Sequence, residues 1–143
     1  MIVASILNTK GRDVYSVGAE MSVRDAARFL CEQGVGAAIV LNGHGGPAGV
    51  FSERDVLIAV AEQGGRALSR TVAELMTADV LTCTPEDTVD QVMSIMTDNR
   101  VRHLPVVAGS VVVGVVSIGD VVKSRIAEAE TEASALKAYI ASG

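Results

Sequence analysis

The chain has 143 residues, 49% of them hydrophobic and only 3% aromatic, with 14 glycines, no tryptophan and a formal net charge of −5. That length and apolar content exclude a disordered chain and leave one domain or two small halves sharing a core. A sequence pI near 4.9 argues against a general nucleic-acid binder, which carries a basic surface. No apolar run is long enough to span a bilayer, and the start, MIVASILNTKGRD, lacks the pattern of a signal peptide, so no membrane association and a cytoplasmic location are expected.

In chain order, a first strand is expected over Val14, Tyr15 and Ser16. A helix follows, on which Val23, Ala26, Ala27 and Leu30 keep the spacing of one face. Next come a strand from Ala37 to Leu41, the turn NGHGGP, and a strand that runs into a helix at GVFSERDVL, from Gly49. Gly64 and Gly65 stop that helix, and Thr71 with Glu74 forms a T-x-x-E capping box that starts a short one.

The same order then returns. A strand over Val80, Leu81 and Thr82 precedes a helix with Val89, Val92, Met93 and Met96 on one face; a strand from His103 to Val107, the turn AGS and GVVSIGDVV, from Gly114, complete it. Ser16 lies over Thr82, a shift of 66 residues, and after the turn Gly49 lies over Gly114, a shift of 65. The extra residue falls in a hairpin turn, where a duplicated unit tolerates it best. The chain is therefore expected to be α+β: a strand-helix-strand-strand-helix repeat in 1–66 with its lead-in, a connector in 67–79 and a second repeat in 80–143. Two thin sheets cannot each bury both faces alone, so the halves should pack sheet to sheet about a pseudo-twofold axis.

From Asp120 a long helix is expected, with Ile126, Ala129, Ala133, Leu136 and Ile140 at spacings of 3, 4, 3 and 4 and Glu128, Glu130 and Glu132 outside that seam. About two heptads suit packing on the chain's own domain, a dimer contact or a docking helix.

No catalytic constellation is present in the sequence. His44 and His103 are the only histidines, there is no HExxH, and Ser52 and Ser117 lack a GxSxG elbow. GHGG joins two short strands with no GK[ST] after it, so it reads as a hairpin. Cys31 and Cys83 stand far apart, outside any CxxC, and are expected to be buried thiols without metal or redox role. Neither an enzyme nor a metal site is expected.

Ser52-x-x-Asp55 and Ser117-x-x-Asp120 each follow a glycine and two apolar residues and open a helix. The pattern is also a helix cap, and Ser22-x-x-Asp25, which lacks the preceding segment, is read as a cap alone.

With its two copies in register, the GVxSxxD ends, the VRHLPVV strand and the MTADVLTCTPEDTVDQVMSIM approach to it, the chain resembles a tandem pair of CBS (cystathionine-β-synthase-type) domains, a Bateman module, from about Val14 to Ile126. The resemblance implies clefts between the halves that bind adenosine-containing ligands such as AMP, ADP, ATP, NAD(H) or S-adenosylmethionine. It makes Asp55 and Asp120 ribose ligands, with Ser52 and Ser117 near ribose or phosphate. A carboxylate can accept two hydroxyl donors, and a helix N-terminus favours phosphate.

Arg102 and His103 stand where the family carries basic residues facing phosphate, whereas their counterparts are Gly36 and Ala37, a departure from two equal sites. Arg54, opposite Gly119, and Lys10 are the further cationic candidates, against the plain alternative of solvated surface charges. For adenine the resemblance implies Val80, Leu81 and Thr82 with Pro105 and Val116 as walls, and Val14, Tyr15 and Ser16 in the other copy. All eight could equally be ordinary core or strand residues. With so few rings, adenine should meet aliphatic walls and backbone groups. The expected function is a homodimeric regulatory module that senses such a ligand and changes shape for a downstream protein. The alternative is a ligand-free interaction module acting through dimerisation and its C-terminal helix.

Overall fold

The computed structural model describes residues 1–142. Its elements are α1 (Val3–Lys10), β1 (Ser16–Val17), α2 (Val23–Gln33), β2 (Ala37–Leu41), β3 (Pro47–Ser52), α3 (Glu53–Gln63), a 3-10 turn (Gly64–Ser69), α4 (Val72–Leu75), α5 (Val89–Asn99), β4 (His103–Ala108), β5 (Val111–Ser117) and α6 (Ile118–Ser142). The fold is α+β and repeats, as expected.

The duplication is visible in the register. β1 runs parallel to β2 with Val17 opposite Val40, and β2 pairs antiparallel with β3. In the second repeat β4 pairs antiparallel with β5, and a parallel bridge joins Cys83 to Val106, the same pair 66 residues on. Both hairpins also shift register at the same place, after Val40 and after Val106. The strand expected over Val80, Leu81 and Thr82 is reduced to that single bridge. It cannot continue past Cys83, because the Thr84 N–H donates to Asp87 Oδ2 at 2.8 Å and Pro85 has no N–H to give.

Local capping sets the helix starts. The Asp25 N–H donates to Ser22 Oγ at 3.1 Å, and Thr88 and Gln91 form a reciprocal capping box. The box expected between Thr71 and Glu74 does not form: Thr71 makes no side-chain cap bond, and Glu74 pairs with Arg70 instead. Backbone bonds hold that helix start, since the Val72 N–H donates to Met21 O at 2.9 Å and the Val23 N–H to Arg70 O at 2.8 Å.

A helix absent from the sequence reading organises the second half. The apolar residues of α1, Val3, Ile6 and Leu7, join Val89, Val92, Met96, Leu104 and Val116 in one core. The first half-core gathers Val17, Val23, Ala26, Leu30, Val40 and Phe51, and it is completed by Val72 of α4. Each half-core is thus closed by the helix that precedes the other repeat in the chain. The arrangement is symmetric: the Val3 N–H donates to Asp87 O and the Val89 N–H to Met1 O, matching the α2 and α4 pair. Helix and strand approach closely at two equivalent glycines. A Cβ on Gly114 would lie 2.8 Å from Leu7 Cδ2, and one on Gly49 would lie 2.5 Å from Met76 Sδ.

The NGHGGP segment is a hairpin turn held by Asn42 Oδ1, which accepts from the His44 and Gly46 N–H groups at 2.8 and 3.0 Å. It ties the halves together, because Gly45 O accepts from the Val112 N–H at 3.0 Å. Cys83 is buried, but Cys31 is exposed, contrary to expectation. The buried face of α2 runs through Val23, Ala26 and Leu30, and the residue after Leu30 is rotated about 100° off it. Burial, with the nearby Asp87 charge, pushes the Cys83 thiol up to about 12, so it stays protonated.

The last helix behaves differently from the others. Only Val121 and Ser124 of α6 are buried, and every described residue beyond Glu128 is exposed. Among the described residues no helix is long and apolar enough to cross a membrane.

Candidate functional site

Two clefts lie where the halves meet. One, of about 380 Å³, is lined by Lys10, Tyr15, Ile39 and Ser117 among others; the other, of about 310 Å³, by Ser52, Arg54, Asp55, Val80, Leu81, Arg100 and Arg102. They are the same place in the two repeats. Across the repeat Asp13 corresponds to Asp79, Tyr15 to Leu81, Gly34 to Arg100 and Ser52 to Ser117, and each pair is divided between the two walls. Gly36, Ala37 and His103 line both clefts, so these share a wall. We refer to them as the lysine cleft and the arginine cleft.

The Ser-x-x-Asp segments fold as caps and present carboxylates in the same act. In the arginine cleft Asp55 Oδ2 accepts from the Ser52 N–H at 2.9 Å and from Ser52 Oγ at 3.1 Å, while the Asp55 N–H donates to Ser52 Oγ. Ser117 and Asp120 repeat the reciprocal pair at 2.9 and 3.1 Å. The Ser22 cap lacks the return bond. Both signatures therefore hold their carboxylate against the backbone, and the Ser22 cap does not hold Asp25 in this way.

Asp120 differs from Asp55 in one respect. Lys10 Nζ donates to Asp120 Oδ2 at 2.6 Å and to Val115 O at 3.0 Å. Partial burial pushes the Asp120 carboxyl up, but the Lys10 ammonium and the Ser117 N–H outweigh it and hold the group below its ordinary value. Asp120 is not itself in the cleft wall; Lys10 and Ser117 are. Among the described residues no lysine lines the arginine cleft.

Other expected residues lie outside both walls. Val116 is fully buried in the second half-core and Pro105 is buried in β4. Strand alternation explains Val116, since its neighbours Val115 and Ser117 line the lysine cleft and it must point the other way. Thr82 and Ser16 are exposed, and Val14 is half-buried, none of them in a wall. Tyr15 places a ring in the lysine cleft, set edge-on to Phe29 with centroids 6.4 Å apart, where the low aromatic content predicts aliphatic walls only.

Arg100, Glu53, Thr77 and Asp79 line the arginine cleft without having been singled out in the sequence. Arg100 did carry a signal: it replaces Gly34 at the helix C-cap, a position that favours glycine. Among the described residues no group of three or more His, Cys, Asp or Glu is placed to hold a metal ion.

Burial, reinforced by Lys10 and Arg102, lowers the His103 imidazole below 6.5 more than Asp120 and Glu53 raise it. Between that lowered value and 6.5 the unfolded chain binds more protons than the folded one, so His103 makes stability fall as pH drops below 6.5. His103→Gln should flatten this part of the profile. Urea midpoints at pH 7.5, 6.5 and 5.5 check it, and an unchanged slope in the variant would refute the assignment.

Comparison with known proteins gives a consistent picture. The family model described as CBS domain matches residues 3–62 and 72–127. The CBS domain-containing protein CBSX3, mitochondrial, of Arabidopsis thaliana is 39% identical over 126 residues, covering 85% of this chain and 61% of the plant protein. The chain thus spans about three fifths of that relative's length. Among solved structures, the CBS-domain containing protein ATU1752 from Agrobacterium tumefaciens is 44% identical with a TM-score of 0.83, over 87% of this chain and 92% of that one. The CBS domain pair of protein MJ0100, solved in complex with 5-methylthioadenosine and S-adenosyl-L-methionine, is 25% identical with a TM-score of 0.77, over 91% of this chain and 98% of that one.

Proposed function

Because the chain belongs to the CBS-domain family, as a tandem pair, we propose that it is a regulatory binding module for an adenosine-containing ligand. AMP, ADP, ATP, NAD(H) and S-adenosylmethionine are the candidates. The module has no reaction of its own; the ligand favours one relative placement of the halves, and a downstream protein reads the change. A ligand that bound both placements equally would shift nothing, so differential affinity is the whole of the signal.

One observation carries this function. In the arginine cleft the Asp55 carboxylate is held by Ser52 through Oδ2 alone, and among the described residues its other oxygen has no partner. A fixed carboxylate with a free oxygen, in a cleft with guanidiniums, suits a ribose next to phosphate. The adenosyl ligands of the MJ0100 pair support the same chemistry.

Calorimetry tests it. Asp55→Ala should weaken binding at the arginine cleft by about tenfold or more, as loss of a hydrogen bond to a charged group implies. Asp120→Ala should weaken binding at the lysine cleft through Lys10 and Ser117, which the Asp120 carboxylate holds in the wall. Each also loses a capping contact worth about 1 kcal/mol, so thermal melting must accompany the titration. If both variants bind AMP, ATP and NADH as the unmodified chain does, the ribose assignment fails.

A second function, an interaction module without ligand, is favoured by α6. Its outer half exposes Leu136 (59%), Tyr139 (76%) and Ile140 (67%) on one unpartnered helix, a seam suited to a second copy of the chain. Nucleotide extraction and native mass spectrometry separate the two: a recovered adenine compound supports the sensor, and an empty dimer that no adenine ligand stabilises supports the interaction module.

A further inference from the structure

The two clefts differ in the charge they offer, and the difference is confined to a few exchanged positions. Where the lysine cleft has Gly34, the arginine cleft has Arg100; Arg102, the counterpart of Gly36, lines the arginine cleft alone, and His103 is shared by both; where the second signature has Gly119, the first has Arg54. The lysine cleft has Lys10 in return, but that ammonium is already bonded to Asp120 and to Val115 O. Among the described residues none of Arg54, Arg100 and Arg102 has an ion-pair partner. Glu53, Asp55 and Asp79 line the same cleft, so the guanidiniums are balanced as a set and paired with none of the three. An incoming phosphate would meet forked N–H donors without first breaking an ion pair.

Arg100 supplies an independent observation. It sits at φ 54° and ψ 42°, and it is the only non-glycine residue with positive φ among those described. Gly34, its counterpart, has nearly the same backbone at φ 66° and ψ 34°. Glycine meets that cap without strain, whereas an L side chain is held there against its preference. The strained residue also lines the arginine cleft, as Gly34 lines the lysine cleft, and strain kept at a cleft points to use.

We infer that the arginine cleft selects a ligand carrying two or more linked phosphates, with Arg100 as the residue that sets this selectivity, and that the lysine cleft takes a ligand with one phosphate or none. The inference rests on the nucleotide function proposed above and names the ligand class for each cleft.

The test is calorimetry on the full chain and on Arg100→Gly with ATP, AMP, adenosine and inorganic tripolyphosphate. The unmodified chain should bind ATP at least about tenfold more tightly than AMP at one site, the margin expected of an added charge-assisted pair. Arg100→Gly should lose about tenfold for ATP and tripolyphosphate, keep its adenosine affinity, and melt no lower, because glycine relieves the backbone. An unchanged ratio of ATP to adenosine affinity in Arg100→Gly, or an equal loss for all four compounds, overturns the inference. Equal binding of AMP and ATP by the unmodified chain overturns it too and leaves the nucleotide function standing. Tripolyphosphate binding weakened by Arg100→Gly, with no adenosine compound bound, supports polyphosphate selection and removes the nucleotide function. No binding of any probe removes both.

Discussion

Leu7→Ala should lower the unfolding free energy of the whole chain by about 3 kcal/mol, the middle of the range for emptying a buried leucine site. Leu7 stands close to the N-terminus, where truncation is ordinarily harmless, yet it is 1% exposed and packed in the second half-core. Its loss leaves a cavity beneath Gly114 of β5, in the core to which Leu104 and Val116 belong. Leu136→Ala is the comparison, since that leucine is 59% exposed and its removal should change stability by no more than about 0.5 kcal/mol. Guanidinium unfolding of both variants measures the difference, with unchanged m values as the check that the transition stays two-state. If Leu7→Ala proves as mild as Leu136→Ala, α1 is not part of the core in solution.

Gly114→Val attacks the same contact from the strand side and should cost about 1–3 kcal/mol through overpacking. A Cβ there would lie 2.8 and 3.1 Å from the two Leu7 methyls, the first closer than real Cβ contacts come, so the buried Leu7 side chain or the strand would have to shift. Because the two sites share one space, their effects should not add. The side chain introduced by Gly114→Val would fill part of the room that Leu7→Ala vacates, and the double variant should be more stable than the sum of the single losses by about 1 kcal/mol. Simple additivity in the cycle would mean that α1 does not press on β5.

Much of the architecture could be read from residues because burial in a repeat is periodic. Val23, Ala26 and Leu30 lie over Val89, Val92 and Met96, and all six are buried as their spacing requires. The Ser-x-x-Asp caps were legible for the same reason, being contacts over three residues. What stayed hidden is non-local. The run containing Val3, Ile6 and Leu7 is too short to declare a helix, and the surface that stabilises it, from Cys83 onward, lies in the other half of the chain. Lys10 and Asp120 are 110 residues apart, so their bond could not be read from spacing. Phase errors account for two differences: Cys31 lies just off the buried face of α2, and Val116 alternates inward between Val115 and Ser117. At Thr71 backbone pairing with Met21 supplied what a side-chain cap would have given. Arg100 was legible in the repeat in the same way as Arg102 and Arg54, as an arginine at a glycine position.

The exchange of α1 and α4 between the halves has a mechanical consequence. Each of these helices is anchored in one half while the chain that follows it crosses to the other, and the crossing straps are the segments that include Gly11, Asp13 and Tyr15, and Thr77, Asp79, Val80 and Leu81. Those straps are also cleft walls. Any rotation of one half against the other must therefore pull on the residues a ligand would touch, and a ligand seated in either cleft would brace a strap. In the proposed sensor, binding and movement would act on the same few residues, with no need for a relay through the cores.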